Sequence, residues 1–355
     1  MTHLAAELAD ITKSKDESGV QIMGLSSWNN STSVLSEPAF QHSWFTMPDY
    51  RFRKFYENKF IKKFGYRPHP KSNLTYDAIA ALGVLEKNLK NKNVLITGGA
   101  RGIGKQIAIE FAKQGANIII CDADKNFMND KVFSESVNEI KGFGVECVHY
   151  YLDVIDIDII EEVRKKINQD LGKLDILVNN AGVVFGGKFL DVDIDKHRLT
   201  YDVNTQGVIN MTHIFLQDLL SKEASHIVNI ASASSFTPLP GGATYASSKA
   251  AVYSFTESLY IEFKKEKYDH IGITAVCPAF VNTGMFDGVK EPIFIPMLTP
   301  ERLAKKIIKA VIKNKLFVLE PAFIKIVPGL KAFLPRFMFD FLGKILGGFN
   351  SMDLW

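Results

Sequence analysis

NVLITGGARGIG, residues 93–104, passes from a short apolar run into a glycine-rich turn and then into a helix. Val94, Leu95 and Ile96 form the kind of run used by a parallel strand buried on both faces. Gly98 starts the turn, and Gly102 and Gly104 stand where a side chain would block a ligand or the returning helix. Backbone N–H groups at such a helix start lack intrahelical partners and carry partial positive charge, which suits a pyrophosphate. IGKQIAIEFA, residues 103–112, supplies the helix, with apolar residues at helical spacing. The glycine spacing is T-G-x-x-x-G-x-G from Thr97 to Gly104, not G-x-G-x-x-G. For this stretch taken alone, an ordinary strand-to-helix turn is the alternative reading.

The 355 residues, 46% hydrophobic and 23% charged, fit one large globular domain with appendages. A net charge of +3 is too small to argue for a polyanionic partner, and no nucleic-acid contact is expected. Cys121, Cys147 and Cys277 lie far apart in no metal-ligand pattern, which points to structural thiols in a reducing compartment. The first residues lack the apolar core of a signal peptide, and no stretch reaches the roughly 18 uncharged apolar residues of a spanning helix. A soluble or peripheral protein that is not secreted is therefore expected.

Residues 1–90 read as an N-terminal extension, polar and partly disordered to about residue 45. Within it YRFRKFYENKFIKKFGYR, residues 50–67, places Phe52, Phe55, Tyr56, Phe60 and Phe64 near one helical face among basic residues. Such a helix either lies on an anionic membrane surface or packs its phenylalanines on the following domain. A short helix from about Tyr76 to Leu89 leads into the first strand.

From Val94 onward buried strands alternate with amphipathic helices, the pattern of an α/β, doubly wound parallel sheet of the Rossmann type. NIIIC, residues 117–121, is the second strand and ends at Asp122, placed to accept hydrogen bonds from adenosine ribose hydroxyls and to repel a 2′-phosphate. Asp122 therefore favours NAD over NADP. Arg101 pulls the other way, because a guanidinium in the turn can pair with that phosphate, so NADP stays possible. A third strand, Val145 to Leu152, ends at Asp153 and Val154, where a carboxylate and a backbone meet an adenine edge. The alternative is that Asp153 caps the helix that follows. LDILVNN is the fourth strand, closed by Asn179, Asn180, Ala181 and Gly182, small enough for a cofactor to approach and with amides to pin neighbouring strands.

A helix from about Asp195 to Leu220 carries Asn204, which if buried needs partners at both ends of its amide. HIVNIAS, the fifth strand, delivers Ser232 at the carboxyl edge of the sheet, where ligands bind in open parallel sheets. TYASSKAAVYSFTESLYIEF is a long helix with Tyr245 and Lys249 at i and i+4, hence on one face. Ile271 to Val276 is the sixth strand, and CPAFVNTGMF after it reads as a loop over the nicotinamide end of the crevice.

Taken together, TGGARGIG, the Asp122 position, NNAG at 179–182, Asn204, Ser232, Tyr245-x-x-x-Lys249 and the loop after Pro278 resemble the short-chain dehydrogenase/reductases over about residues 91–316. Ala279 stands where many members carry glycine. VNTGMF and the extended tail look most like the branch of retinol and 17-beta-hydroxysteroid dehydrogenases associated with membranes and lipid droplets. Members of that branch usually begin with a hydrophobic anchor, which this chain does not show.

The resemblance implies a dinucleotide held by Gly98, Arg101, Gly102, Ile103, Gly104 and Asp122 on one side. Asp153, Val154, Asn180, Ala181, Gly182, Tyr245, Lys249, Pro278 and Thr283 would complete its site. It implies Tyr245 as base in alcohol oxidation and acid in carbonyl reduction, with Ser232 polarising the substrate oxygen. Lys249 and an oxidised nicotinamide would together lower the tyrosine from its usual pKa near 10 by about three units. Asn204 would position a water between Lys249 and solvent, and no metal is needed. A homodimer through the Tyr245 helix is implied as well, as is an intracellular position, cytoplasmic or peripheral on endoplasmic-reticulum or lipid-droplet membrane.

Thr299 and Pro300 read as a helix start. Residues 317–355 read as an apolar amphipathic tail rich in Phe, Leu and Ile and broken by Lys325, Lys331, Arg336 and Lys344. The tail either enters a membrane interface or packs against the active-site lid or a second subunit. Both readings favour a hydrophobic alcohol or carbonyl substrate: a retinoid, a steroid or a long-chain lipid. The reading of a different class is a catalytically silent, nucleotide-binding scaffold on a lipid surface.

Overall fold

The computed structural model describes residues 89–285, 289 and 296–348, which belong to a unit spanning Asn88–Trp355. The expected extension, with its basic aromatic helix at 50–67 and most of its short helix from Tyr76, lies outside the described residues, as does most of the segment between Met285 and Leu298.

Seven parallel strands form one sheet: β1 (Asn93–Thr97), β2 (Asn117–Asp122), β3 (Cys147–Tyr151), β4 (Ile176–Asn179), β5 (Ser225–Ile230), β6 (Ile271–Pro278) and β7 (Phe317–Glu320). Their spatial order is β3-β2-β1-β4-β5-β6-β7. The chain winds outward from β1 to β3 on one side and from β4 to β7 on the other. That reversal opens a crevice at the carboxyl ends of β1 and β4, paired through Val94↔Ile176 and Ile96↔Val178.

The apolar runs of the strands serve two cores, because successive side chains point to opposite faces. Val94, Ile96, Ile118 and Ile120 pack in one layer with α1 (Gly102–Lys113) and α2 (Lys131–Lys141), using Ile107, Phe111, Phe133 and Ile140. Leu95, Ile119, Leu177 and Ile227 pack in the other with Ile160 and Ile167 of α3 (Ile157–Asp170). A long helical run follows β4: α4 (Ile194–Tyr201), a π turn (Asp202–Gln206) and α5 (Gly207–Leu220), whose Met211 and Phe215 enter that second core. The layer also takes Phe263 of α6 (Ala243–Lys265), while α7 (Pro300–Ile312) returns to the first layer with Leu303 and Ile307. Thr299 caps α7 by accepting a hydrogen bond from the Arg302 amide at 3.3 Å, and Pro300 opens it.

Several boundaries differ from the sequence reading: the fourth strand is Ile176–Asn179, the sixth runs on to Pro278, and the helix read over 195–220 is interrupted by the π turn. The sheet continues past residue 316, because Phe317–Glu320 pairs with β6 in the register Ala275↔Phe317 to Pro278↔Glu320. A four-residue strand is too short to show a period of its own. The third strand begins at Cys147, not Val145.

Beyond β7 the chain folds back as a 3-10 turn (Ala322–Lys325), α8 (Val327–Phe333) and α9 (Arg336–Ile345). Ile324 and Val327 are buried with Phe236, Val252 and Cys277 in a third apolar cluster. The inner part of the tail thus packs on the domain. Among the described residues no helix is long and apolar enough to cross a membrane.

Candidate active site

The β1–α1 turn is built on backbone that only glycine adopts freely: Gly98 and Gly102 have φ of 59° and 57°. A Cβ on Gly104 would stand 2.2 Å from the Gly98 carbonyl oxygen and 2.9 Å from the Gly99 Cα, so turn and helix meet backbone to backbone. Ile103 packs on the core beneath. Arg101, at the N-cap of α1, makes no capping bond from its side chain, and no acidic residue follows in the first turn. The helix start therefore keeps its partial positive charge at the crevice. Across the turn, Thr283 lies 3.4 Å from where a Gly102 Cβ would be, so the loop after Pro278 borders the same turn.

Asp122 ties β2 to this turn. One carboxylate oxygen accepts from the Ala100 amide at 3.2 Å and the other from the Asp124 amide at 3.1 Å. A carboxylate has lone pairs beyond these two, so ribose hydroxyls fit beside them. Arg101 pairs with Asp124 at 3.4 Å, mostly in solvent. Asp153 accepts from the Ile155 amide at 3.2 Å, and the cap of α3 is Asp156, which accepts from Ile159 at 3.1 Å. The capping role considered for Asp153 thus belongs three residues later, because the chain makes a tight turn before the helix starts. Val154 is turned toward α5. Its side chain would lie 2.5 Å from a Cβ on Gly207, and its carbonyl accepts from Asn210 at 3.1 Å.

The end of β4 is locked to the end of β1. Asn180 donates from its side chain to the carbonyls of Thr97 and Gly98, both at 2.9 Å. The Thr97 hydroxyl accepts from the amides of Asn180 and Ala181, both at 3.0 Å. Beneath them Asn179 donates to Asn229 at 2.8 Å and to Thr212 at 3.1 Å, and Asn229 donates to Thr256 at 2.9 Å. This buried polar ladder fixes two strands and two helices relative to one another under the crevice.

Asn204 lies in the π turn with no solvent exposure. Its oxygen accepts from the Val183 amide at 2.8 Å, and its nitrogen donates to the Val183 carbonyl at 2.9 Å and to Ser248 Oγ at 3.0 Å. Both N–H groups are spent, so only a lone pair of the carbonyl oxygen is left for a water. That oxygen and Lys249 Nζ flank Gly182: a Cβ there would be 3.2 Å from one and 3.3 Å from the other. Ser248 in turn donates to the Tyr245 carbonyl at 2.8 Å, which couples the π turn to the helix turn carrying Tyr245 and Lys249.

Lys249 is buried, donates to the Ile230 carbonyl at 2.8 Å, and sits 5.9 Å from the centre of the Tyr245 ring. Burial penalises its ammonium and pushes its pKa down to about 8. Burial likewise pushes Tyr245 up to about 12, against the pull of the Ser232 hydroxyl hydrogen-bonded to the phenol. The lowering implied by the resemblance rests on Lys249 together with an oxidised nicotinamide, and burial opposes it. Ser232 closes the arrangement from the first residues after β5, its Oγ also accepting from the Ser234 amide at 3.2 Å.

The Lys249 shift has a consequence for stability. A lysine with a folded-state value of about 8 against an ordinary 10.5 sheds its proton from the folded state first. Between those values the unfolded chain binds more protons, so stability rises with pH. The unfolding free energy of the wild type minus that of Lys249→Met should increase as pH rises through that window, measured by denaturant titration. A difference that stays flat would mean that the ammonium is not desolvated.

Ser232 and Tyr245 both line a cavity of ≈ 150 Å³. Leu239 and Phe280 contribute to its walls from the domain, and Ile324, Val327, Leu330, Phe339, Leu342 and Leu346 do so from the tail. Sequence reasoning singled out neither Ser248 nor the hydroxyl of Thr97. The available signals were their places, one residue before Lys249 and one after the first apolar run. All three cysteines are buried free thiols, and the described residues contain no cluster of three His, Cys, Asp or Glu side chains able to hold a metal.

The family model for short chain dehydrogenase matches residues 92–293. Epidermal retinol dehydrogenase 2 of Mus musculus is 34% identical over 270 residues, covering 75% of this chain and 86% of that protein. Short-chain dehydrogenase/reductase 3 of Homo sapiens is 34% identical over 269 residues, covering 75% and 87%. Among solved structures, a short chain dehydrogenase/reductase from Burkholderia phymatum in complex with NAD superposes with a TM-score of 0.61 at 25% identity, over 68% of this chain and 93% of that one.

Proposed function

Because the chain belongs to the short-chain dehydrogenase/reductase family, whose model matches residues 92–293, we propose that it interconverts a hydrophobic alcohol and its aldehyde or ketone, with Tyr245 as acid and base. The observation that carries this reading is the joint presence of Ser232 and Tyr245 in the wall of one mostly apolar cavity. The retinol dehydrogenases among the relatives support a retinoid or similarly long lipid alcohol. Gly98, Arg101, Gly102, Gly104, Asp122, Asn180, Ala181, Gly182, Pro278 and Thr283 would hold a nicotinamide dinucleotide. The left-handed glycines and the bare helix start make the cradle it requires.

When bound, the oxidised dinucleotide supplies the hydride acceptor and a positive charge at the nicotinamide. Ser232 donates a hydrogen bond to the substrate oxygen and holds it against the phenol. Tyr245 takes the hydroxyl proton in oxidation and returns it in reduction. Lys249, desolvated and close by, stabilises the phenolate. Asn204 offers the single lone pair beside Gly182 for a water between Lys249 and solvent. Burial pushes Tyr245 up to about 12 against the Ser232 hydroxyl, and the positive charge of a bound oxidised nicotinamide would act beside Lys249 in the opposite direction. A homodimer through α6 and a peripheral position on an intracellular membrane belong to the same reading.

Asp122 supports NAD over NADP, since its carboxylate sits at the end of β2 where a 2′-phosphate would be repelled. Steady-state turnover of a long-chain alcohol is expected with NAD and at least tenfold less with NADP. Asp122→Ala should narrow that ratio. Faster turnover with NADP in the wild type would mean that Arg101 decides. Dinucleotide binding without turnover of a retinoid, a steroid or a long-chain alcohol would favour the scaffold.

A further inference from the structure

Helix α9 carries two apolar stripes. Phe337, Phe341 and Ile345, spaced at i, i+4 and i+8, point away from the domain and are 73%, 63% and 55% exposed. Phe339, Leu342 and Leu346 occupy the opposite stripe and line the cavity that holds Ser232 and Tyr245. At 100° per residue Phe337 and Phe339 lie about 160° apart around the helix axis, so one helix has a cavity face and an outer face. The two faces are one side chain apart: Leu342 lines the cavity and is itself 36% exposed. No residue of α9 is fully buried, so the helix is held lightly. Phe333, at the end of α8, is a further phenylalanine with 89% exposure.

Charge identifies what covers that face. Residues 322–348 carry Lys325, Lys331, Arg336 and Lys344, all exposed, against the single carboxylate of Asp340, which pairs with Arg336 at 2.8 Å. Phenylalanines projecting among cations suit an anionic lipid interface, where rings enter the acyl boundary and lysines meet headgroups.

We propose that α8 and α9 form a lipid-side door. Their outer face docks on an anionic membrane surface, and the alcohol passes from the lipid phase past Leu342 into the cavity of Tyr245 without crossing water. The inference rests on the proposed alcohol chemistry for its substrate and not for its docking, which is measured without turnover.

The test uses the full chain, the outer-face double variant Phe337→Ser/Phe341→Ser and the charge variant Lys331→Glu/Lys344→Glu. Cosedimentation is read with phosphatidylcholine vesicles and with vesicles containing phosphatidylserine. Turnover is read with a long-chain alcohol dissolved in the vesicles and with a short water-soluble alcohol. The wild type should sediment with phosphatidylserine vesicles and far less with phosphatidylcholine. Each variant should sediment at least tenfold less, lose at least tenfold in turnover of the vesicle-borne alcohol, and keep the wild-type rate on the soluble one. Wild-type protein that stays in the supernatant, or variants that sediment and turn over as the wild type does, would overturn the door. Equal binding to neutral vesicles would overturn the charge assignment. A concentration-dependent dimer lost in Phe337→Ser/Phe341→Ser, with no sedimentation, would give the face to a second copy. Vesicle binding without turnover of any alcohol would refute the oxidoreductase reading and leave the docking standing.

Discussion

Tyr245→Phe is expected to lower turnover of a hydrophobic alcohol by about two to four orders of magnitude while leaving dinucleotide affinity and thermal stability near those of the wild type. The phenol is buried among Ser232 and apolar side chains, and phenylalanine fills the same volume, so packing is conserved. What disappears is the phenol proposed to exchange a proton with the substrate oxygen, a contribution of about 10²–10⁴-fold in general acid–base catalysis. The loss should fall on kcat, since the apolar walls that bind substrate are untouched. Dinucleotide fluorescence titration and a melting curve beside the kinetics separate this outcome from misfolding. Retained turnover would move the proton transfer to another group.

Gly104→Ala should be as damaging by a different route. The added Cβ would sit 2.2 Å from the Gly98 carbonyl oxygen, 2.7 Å from the Asn180 side-chain nitrogen and 2.9 Å from the Gly99 Cα. Two of those three neighbours are backbone, so relief requires α1 to move away from the turn. That movement would also break the Asn180 bonds that lock β1 to β4. Dinucleotide affinity is expected to fall at least a hundredfold with a lowered melting temperature. Gly144→Ala provides a control, because it has φ of 77° but nothing within 4 Å of its Cβ: strain without collision. It should lower stability modestly and leave affinity unchanged.

These two positions also mark how far the sequence could be read. Gly104 was legible because close backbone approach admits one residue type, and a glycine after a buried strand records it. Tyr245 and Lys249 were legible because i, i+4 spacing on a helix fixes a shared face. The alternating strands and helices were legible up to β6, and β7 was missed at four residues. Asp153 and Asp156 could not be told apart as caps, since both precede the same helix and only the turn geometry chooses.

Less accessible was everything that depends on which side of an element is buried. The tail carries phenylalanines and leucines on more than one side of its last helix, so its composition could not divide Phe337 and Phe341 on the outside from Phe339 and Leu342 on the cavity. The surroundings of the Tyr245–Lys249 pair are hidden from the sequence for a similar reason. Spacing brings Lys249 near the phenol, but burial and the Ile230 carbonyl decide where its ammonium points and how strongly the charge is felt. Ser248 has no feature in sequence that separates it from other helix serines, and only its hydrogen bonds join Asn204 to the Tyr245 turn.

The central claim, that this chain moves hydride from an alcohol carbon with Tyr245 managing the proton, is tested most directly by isotope transfer. Wild-type protein is incubated with NAD and a long-chain primary alcohol carrying deuterium at the carbinol carbon, and the dinucleotide is analysed by mass spectrometry. Deuterated NADH from the wild type and none from Tyr245→Phe is the expected result. Unlabelled NADH throughout, or equal labelling in the variant, would contradict the account.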